Sequence, residues 1–251
     1  MRVQRMVAGG IAKSGQYAAL VQLMADGLPA LGVDFVYEDP DLLHLIGLPD
    51  ERMKHAARRA KTLRIPYIWS PMGCMCPWNA GVSKPGKAFI AGAAATHSSS
   101  LMENAPGNRY IPNPVVTGKL SAAGFLEKIH SLYNEVADSH EKAMRNAAKA
   151  QAAETCRGME SGAAGVMECL LYSKYMAGRG RMPQWLTDEV RNVFTSSDYD
   201  EEIFAHKLKQ CGLLAFAARL ERTAAEASQL TEGFMPVPMA KAPLRVKKAR
   251  L

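Results

Sequence analysis

The sequence Arg64-Ile65-Pro66-Tyr67-Ile68-Trp69-Ser70-Pro71-Met72-Gly73-Cys74-Met75-Cys76-Pro77-Trp78 lies a quarter of the way along the chain. An apolar, aromatic-rich run at 65–69 breaks at Ser-Pro-Met-Gly, the pattern of a buried strand that ends in a sharp turn. In an open α/β sheet such a turn lies at the carboxyl edge, where ligands bind.

The residues before it supply the rest of such a sheet. Residues 3–8 predict a first strand, followed by Gly9-Gly10-Ile11-Ala12-Lys13-Ser14-Gly15 and a helical pattern over 16–28. Glycines at a strand-to-helix turn let the backbone approach a phosphate at the helix N-terminus. The spacing is neither the dinucleotide fingerprint nor a P-loop, so by itself it also fits an ordinary turn. Residues 32–37 and 41–47 predict the second and third strands, the latter carrying His44 as a ligand contact or as a core histidine satisfied by backbone. Asp50 is placed to cap a helix over 51–63, with Lys54, His55, Arg58, Arg59, Lys61 and Arg64 on or just after it.

Taken in order, these segments resemble the N-terminal domain of retaining GT-B glycosyltransferases, the large family-4 group. The glycine turn of Gly9, Gly10, Ser14 and Gly15 corresponds to the family's donor-diphosphate loop. Pro40-Asp41, His44 and Gly47 correspond to its third-strand word, and Ser70-Pro71-Met72-Gly73 to its Ser-Pro-His-Gly turn. Residues 88–100 with Glu103, and Arg109-Tyr110-Ile111-Pro112-Asn113-Pro114-Val115-Val116, follow as the last two words. The resemblance covers residues 1 to about 118. It implies an α/β, Rossmann-like domain of the GT-B N-terminal type, with phosphates near Gly9, Gly10, Ser14 and Gly15. It also implies a sugar-facing wall at His44, Met72, Gly73 and Asn113, and neither cofactor nor metal. Two positions depart from the family. Leu45-Ile46 stand where many members have a further histidine, and Met72 replaces the histidine beside the transferred sugar. A thioether cannot exchange a proton at neutral pH, so no catalytic residue is assigned.

The chain has 251 residues, 48% apolar and 22% charged, a soluble globular balance with enough length for a sizeable core. No run of about 18 apolar residues suggests a membrane span, and the first residues are too polar for a signal peptide. The five cysteines make no disulfide framework, which places the expected location in a reducing cytoplasm. Cys74 and Cys76 lack the second pair that a zinc site needs. The net charge of +7 gathers at 54–64 and 241–250. A solvated helix face and a frayed tail explain it; an anionic membrane surface, as used by many family members, is the alternative. Nucleic acid is not favoured, because no recognisable binding module accompanies the charge.

Beyond Thr117 no strands are predicted. Phe125, Ile129, Leu132, Val136, His140, Ala143 and Ala147 recur at helical steps within 121–157. Further helices are expected over 162–176, from Pro183, and over 198–229 with a break at Gly212. The sequence therefore divides into a Rossmann-like domain at 1–118, a helical region at 119–235 and a basic, Pro-rich tail at 236–251, expected to be disordered. Ser228-Gln229-Leu230-Thr231-Glu232-Gly233-Phe234-Met235-Pro236 is similar to the family's donor-side word. Neither a preceding strand nor its second acidic residue accompanies it, so it reads as coincidence or as the relic of a lost domain.

Two functions follow from the resemblance. One is a minimal glycosyltransferase moving a sugar from a nucleotide donor to a surface-polysaccharide acceptor. The other is an inactive or half-enzyme subunit that binds a sugar ligand and pairs with a partner protein through the helical region.

Overall fold

Val3, Leu42, Leu45, Ile68 and Trp69 have no exposed surface, and the strands that carry them form the middle of a parallel sheet. The structure, a computed structural model, describes residues 1–11, 15–76, 86–99, 114–118, 120–178, 182–228 and 235–244. Strands β1 (Arg2–Val7), β2 (Asp34–Phe35), β3 (Leu42–Ile46), β4 (Tyr67–Ser70), β5 (Ala95–Ser98) and β6 (Pro114–Val116) pair in the order β2-β1-β3-β4-β5-β6, every neighbour parallel. After β1 the chain runs outward through α1 (Gly15–Gly27) to β2; after β3 it runs the other way through α2 (Glu51–Thr62) to β4. The reversal between β1 and β3 is the topological switch point of a doubly wound sheet.

The two faces of the sheet follow from the register. Arg5 pairs with His44, and Leu45 pairs with Trp69. On the His44 face the Arg5 guanidinium donates to the Val21 carbonyl of α1 at 2.9 Å. On the Trp69 face, Trp69 and Tyr67 pack their rings on Phe89 of α3 (Lys87–Ala91). Asp50 caps α2 by accepting from the Met53 amide at 2.9 Å, and Met53, Ala57 and Ala60 turn inward at helical spacing.

Two units divide the chain at His140, not at residue 118. The long helix α4 (Ala122–Thr155) crosses that point. Its first half buries Phe125, Ile129, Leu132, Tyr133 and Val136 in the same core as the sheet. Apolar periodicity showed that this helix has a buried face, but periodicity does not say which layer the face joins.

The second unit, residues 141–251, is helical among its described residues. Helix α5 (Ser161–Gly178) is its core, with Val166, Met167 and Leu170 wholly buried. Helices α6 (Gln184–Ser196), α7 (Glu201–Gln210) and α8 (Leu214–Ser228) follow, with the expected break at Gly212, whose φ is +63°. Arg145, from the second half of α4, bridges to Glu189 on α6 at 3.1 Å and stacks on the Tyr172 ring, 4.3 Å from its centroid.

Residues 235–244 correct the expectation of a disordered tail. The amides of Met235, Ala240 and Leu244 donate to the Glu221 carboxylate, the Ala218 carbonyl and the Thr223 hydroxyl, all on α8. Met235, Val237 and Leu244 bury against the helical core, enough apolar surface to hold a segment whose prolines already restrict its backbone. The predicted second strand is also shorter than 32–37: β2 pairs only with β1, on the outside of the sheet, and Tyr37 is 93% exposed.

Candidate functional site at the carboxyl edge

Three of the segments singled out in the sequence meet where the strands end. β1 stops at Val7 and the Ala8 amide donates to the Ile46 carbonyl at 2.9 Å. Gly9 and Gly10 then form an exposed turn, and nothing lies within 4 Å of where a β-carbon would stand on either. Gly15, the first residue of α1, is equally open. β3 ends at Ile46 and is followed by Gly47, whose φ is +97° and whose absent β-carbon would lie 2.5 Å from Ile11 and 3.0 Å from Ala8. Only glycine lets the loop after β1 lie over the end of β3. The Gly47 amide donates to the Ser70 carbonyl at 2.7 Å, and its own carbonyl accepts from the Trp69 indole at 2.9 Å.

β4 ends at Ser70, and the next turn places two consecutive residues in the left-handed region: Met72 at φ +51° and Gly73 at φ +85°. For methionine this conformation costs about 1–2 kcal/mol. The Met72 side chain is buried in the sheet core. A β-carbon on Gly73 would stand 2.3 Å from the Tyr17 hydroxyl, so the first turn of α1 rests directly on the Ser-Pro-Met-Gly turn. Gly9, Gly10, Gly15 and Gly73 thus border one edge. Ser14 and Asn113 lie outside the described residues, as does 229–234 of the Glu-Gly-Phe word. Asp41 is elsewhere, accepting from the Arg2 amide at 2.8 Å where β1 begins.

His44 does not reach the edge. It is wholly buried, with Nδ1 2.6 Å from the Tyr133 hydroxyl and Nε2 2.7 Å from the Ser70 hydroxyl. From Ser70 the chain of hydrogen bonds continues to His97 Nδ1 at 2.8 Å and from His97 Nε2 to the Thr117 hydroxyl at 2.7 Å. Burial pushes His44 well below the ordinary histidine value, with smaller contributions from His97 and from the positive charge of Arg5. Burial likewise lowers His97, to about 4, and raises the Tyr133 phenol. Both imidazoles are therefore neutral at neutral pH. Sequence reasoning singled out His44 but not Ser70, His97, Thr117 or Tyr133 as its partners. The available signal was His97 inside a buried strand, since most buried polar groups find partners.

A cavity of about 370 Å³ opens between α4 and the amino end of β5, lined by Ala94, Ala95, Val115, Leu132, Val136 and Ser139. It lies away from the glycine turns. Among the described residues no group of three or more His, Cys, Asp or Glu is gathered for a metal ion. No helix among them is long and apolar enough to cross a membrane.

At the described carboxyl edge Gly9, Gly10 and Gly15 are exposed, and the nearest imidazole is sealed beneath the surface. Comparison with family models, with curated proteins and with solved structures finds no match to the chain.

Proposed function

We propose that the chain works in glycosyl transfer as a glycosyltransferase-like subunit. Its N-terminal unit would hold a nucleotide-sugar or its sugar acceptor at the carboxyl edge, and a partner chain would complete the donor site. The observation that carries this reading is the seating of Tyr17 on Gly73, which sets the first turn of α1 beside the Ser-Pro-Met-Gly turn at the carboxyl edge. Transfer of a glycosyl group depends on stabilising a departing diphosphate. The open amides after β1 suit that anion, while the sealed His44 and the thioether at Met72 supply no exposed proton donor. The half-enzyme reading is therefore preferred to stand-alone transfer. The solvent face of α2, with Arg52, His55, Arg58, Arg59 and Lys61 exposed, suits peripheral contact with an anionic membrane where surface polysaccharide is assembled.

Calorimetric titration with UDP, GDP and their sugar conjugates tests the reading. Gly10 has open space around it, so Gly10→Val leaves the fold intact and is expected to abolish a saturable heat seen with the native protein. Equal binding by both proteins would remove the glycine turn from the site, and no heat with any nucleotide would remove the donor from it.

A further inference from the structure

We propose that Tyr133, His44, Ser70, His97 and Thr117 form one proton-ordered relay, in which both imidazoles carry their single proton on Nε2 and every hydrogen points from α4 toward the end of β6. The hydroxyl of Ser70 is the coupling element. Its Oγ contacts His44 Nε2 and His97 Nδ1, and a hydroxyl has one hydrogen to give. Were both rings to donate to Ser70, its own hydrogen would be buried without an acceptor among these partners. Were neither to donate, one nitrogen would face the oxygen lone pair to lone pair. Each alternative forfeits a buried hydrogen bond. Only two arrangements satisfy every contact, and in each the two rings have the same tautomer.

The sense is set at the Tyr133 end. In the reversed sense the wholly buried Tyr133 hydroxyl accepts from His44 and its own hydrogen has no acceptor among these partners, whereas Thr117, at the other end, keeps some exposure. The forward sense gives that hydrogen to His44 Nδ1. Tyr133 then donates to His44, His44 to Ser70, Ser70 to His97, and His97 to Thr117. A doubly protonated ring has no lone pair for its donor, so the chain also excludes a charged imidazole.

Such a chain is a two-state element, because reversing any one bond requires reversing them all. Its members sit on α4, β3, β4 and β5 and immediately after β6. Ser70 also ends β4 and precedes the Pro71-Met72-Gly73 turn, so the relay and the carboxyl edge share one residue. This holds whatever ligand that edge binds.

Imidazole nitrogen NMR on histidine-labelled protein at about pH 7 tests the proposal directly. The two buried rings are expected to show an acceptor-type Nδ1 and a protonated Nε2. Rings of opposite tautomer, or a doubly protonated ring, overturn the relay; protons on Nδ1 in both overturn its direction. In Ser70→Ala the rings lose their coupling, and at least one is expected to shift to a tautomer mixture. Two rings left unchanged by that substitution would contradict the role given to Ser70, and the native spectrum stays decisive if the variant does not fold.

Discussion

The hydroxyl of Tyr17 sits where the β-carbon of any residue other than glycine at position 73 would need to be, 2.3 Å from it. The turn after β4 and the first turn of α1 are therefore fitted to one another through a missing side chain. Gly73 also has φ +85°, so Gly73→Ala adds left-handed strain of about 1–2 kcal/mol to the displacement of Tyr17. We expect urea unfolding to show a loss of about 2 kcal/mol or more. Gly10→Ala, in open space, should change stability by less than about 0.5 kcal/mol.

Acid should weaken the N-terminal unit before its carboxylates protonate. Burial holds His97 down at about 4 in the fold, against an ordinary histidine value of about 6.5 in the unfolded chain. Between those values the unfolded chain binds more protons than the native one. The stability contributed by neutral His97 is thus complete above pH 6.5 and is lost as pH falls toward 4, by on the order of 3 kcal/mol. His44 is shifted the same way and adds to the loss, with Arg5 as the charged group facing it. Denaturant midpoints measured across this range check the slope; a flat profile would contradict neutral burial of the pair.

In the helical unit, Gly162 and Gly165 make a matched pair on α5. A β-carbon at 162 would stand 2.0 Å from the Asp198 carbonyl oxygen, a backbone atom that cannot step aside, whereas nothing approaches one at 165. Gly162→Ala is expected to lower the melting temperature. Gly165→Ala should raise it, by the roughly 0.5–1 kcal/mol that alanine gains over glycine inside a helix.

Arg145 joins three helices of the same unit through its bond to Glu189 and its position over Tyr172. Lysine keeps the charge but loses the planar fork and the stacking. Arg145→Lys should therefore destabilise by about 1 kcal/mol, close to Arg145→Ala, since the site is partly exposed. Thermal melts of both variants decide it; full retention of stability by lysine would show that charge alone is enough.

Much of the architecture was legible because it rests on local signals. Asp50 and the inward Met53, Ala57 and Ala60 announce α2, Pro183 precedes α6, and Gly212 separates α7 from α8. The glycine turn and Ser-Pro-Met-Gly placed the carboxyl edge. What stayed hidden depends on distance along the chain. His44 finds partners 26 and 89 residues away, and no local pattern names them. The first half of α4 belongs with the sheet because Phe125, Ile129 and Tyr133 fill that core, a choice amphipathicity leaves open. The segment at 235–244 looks like a tail until the carboxylate and hydroxyl that bind its amides are brought beside it by α8.

The proposed function depends on a nucleotide-sugar occupying the carboxyl edge. Backbone amide NMR during titration with UDP- and GDP-sugars tests it most directly. Saturable shifts are expected at Gly9, Gly10, Gly15 and Gly73, with the amides beside the cavity at Ala95 and Val136 unmoved. Shifts confined to that cavity or to the helical unit, or none at all, would contradict it.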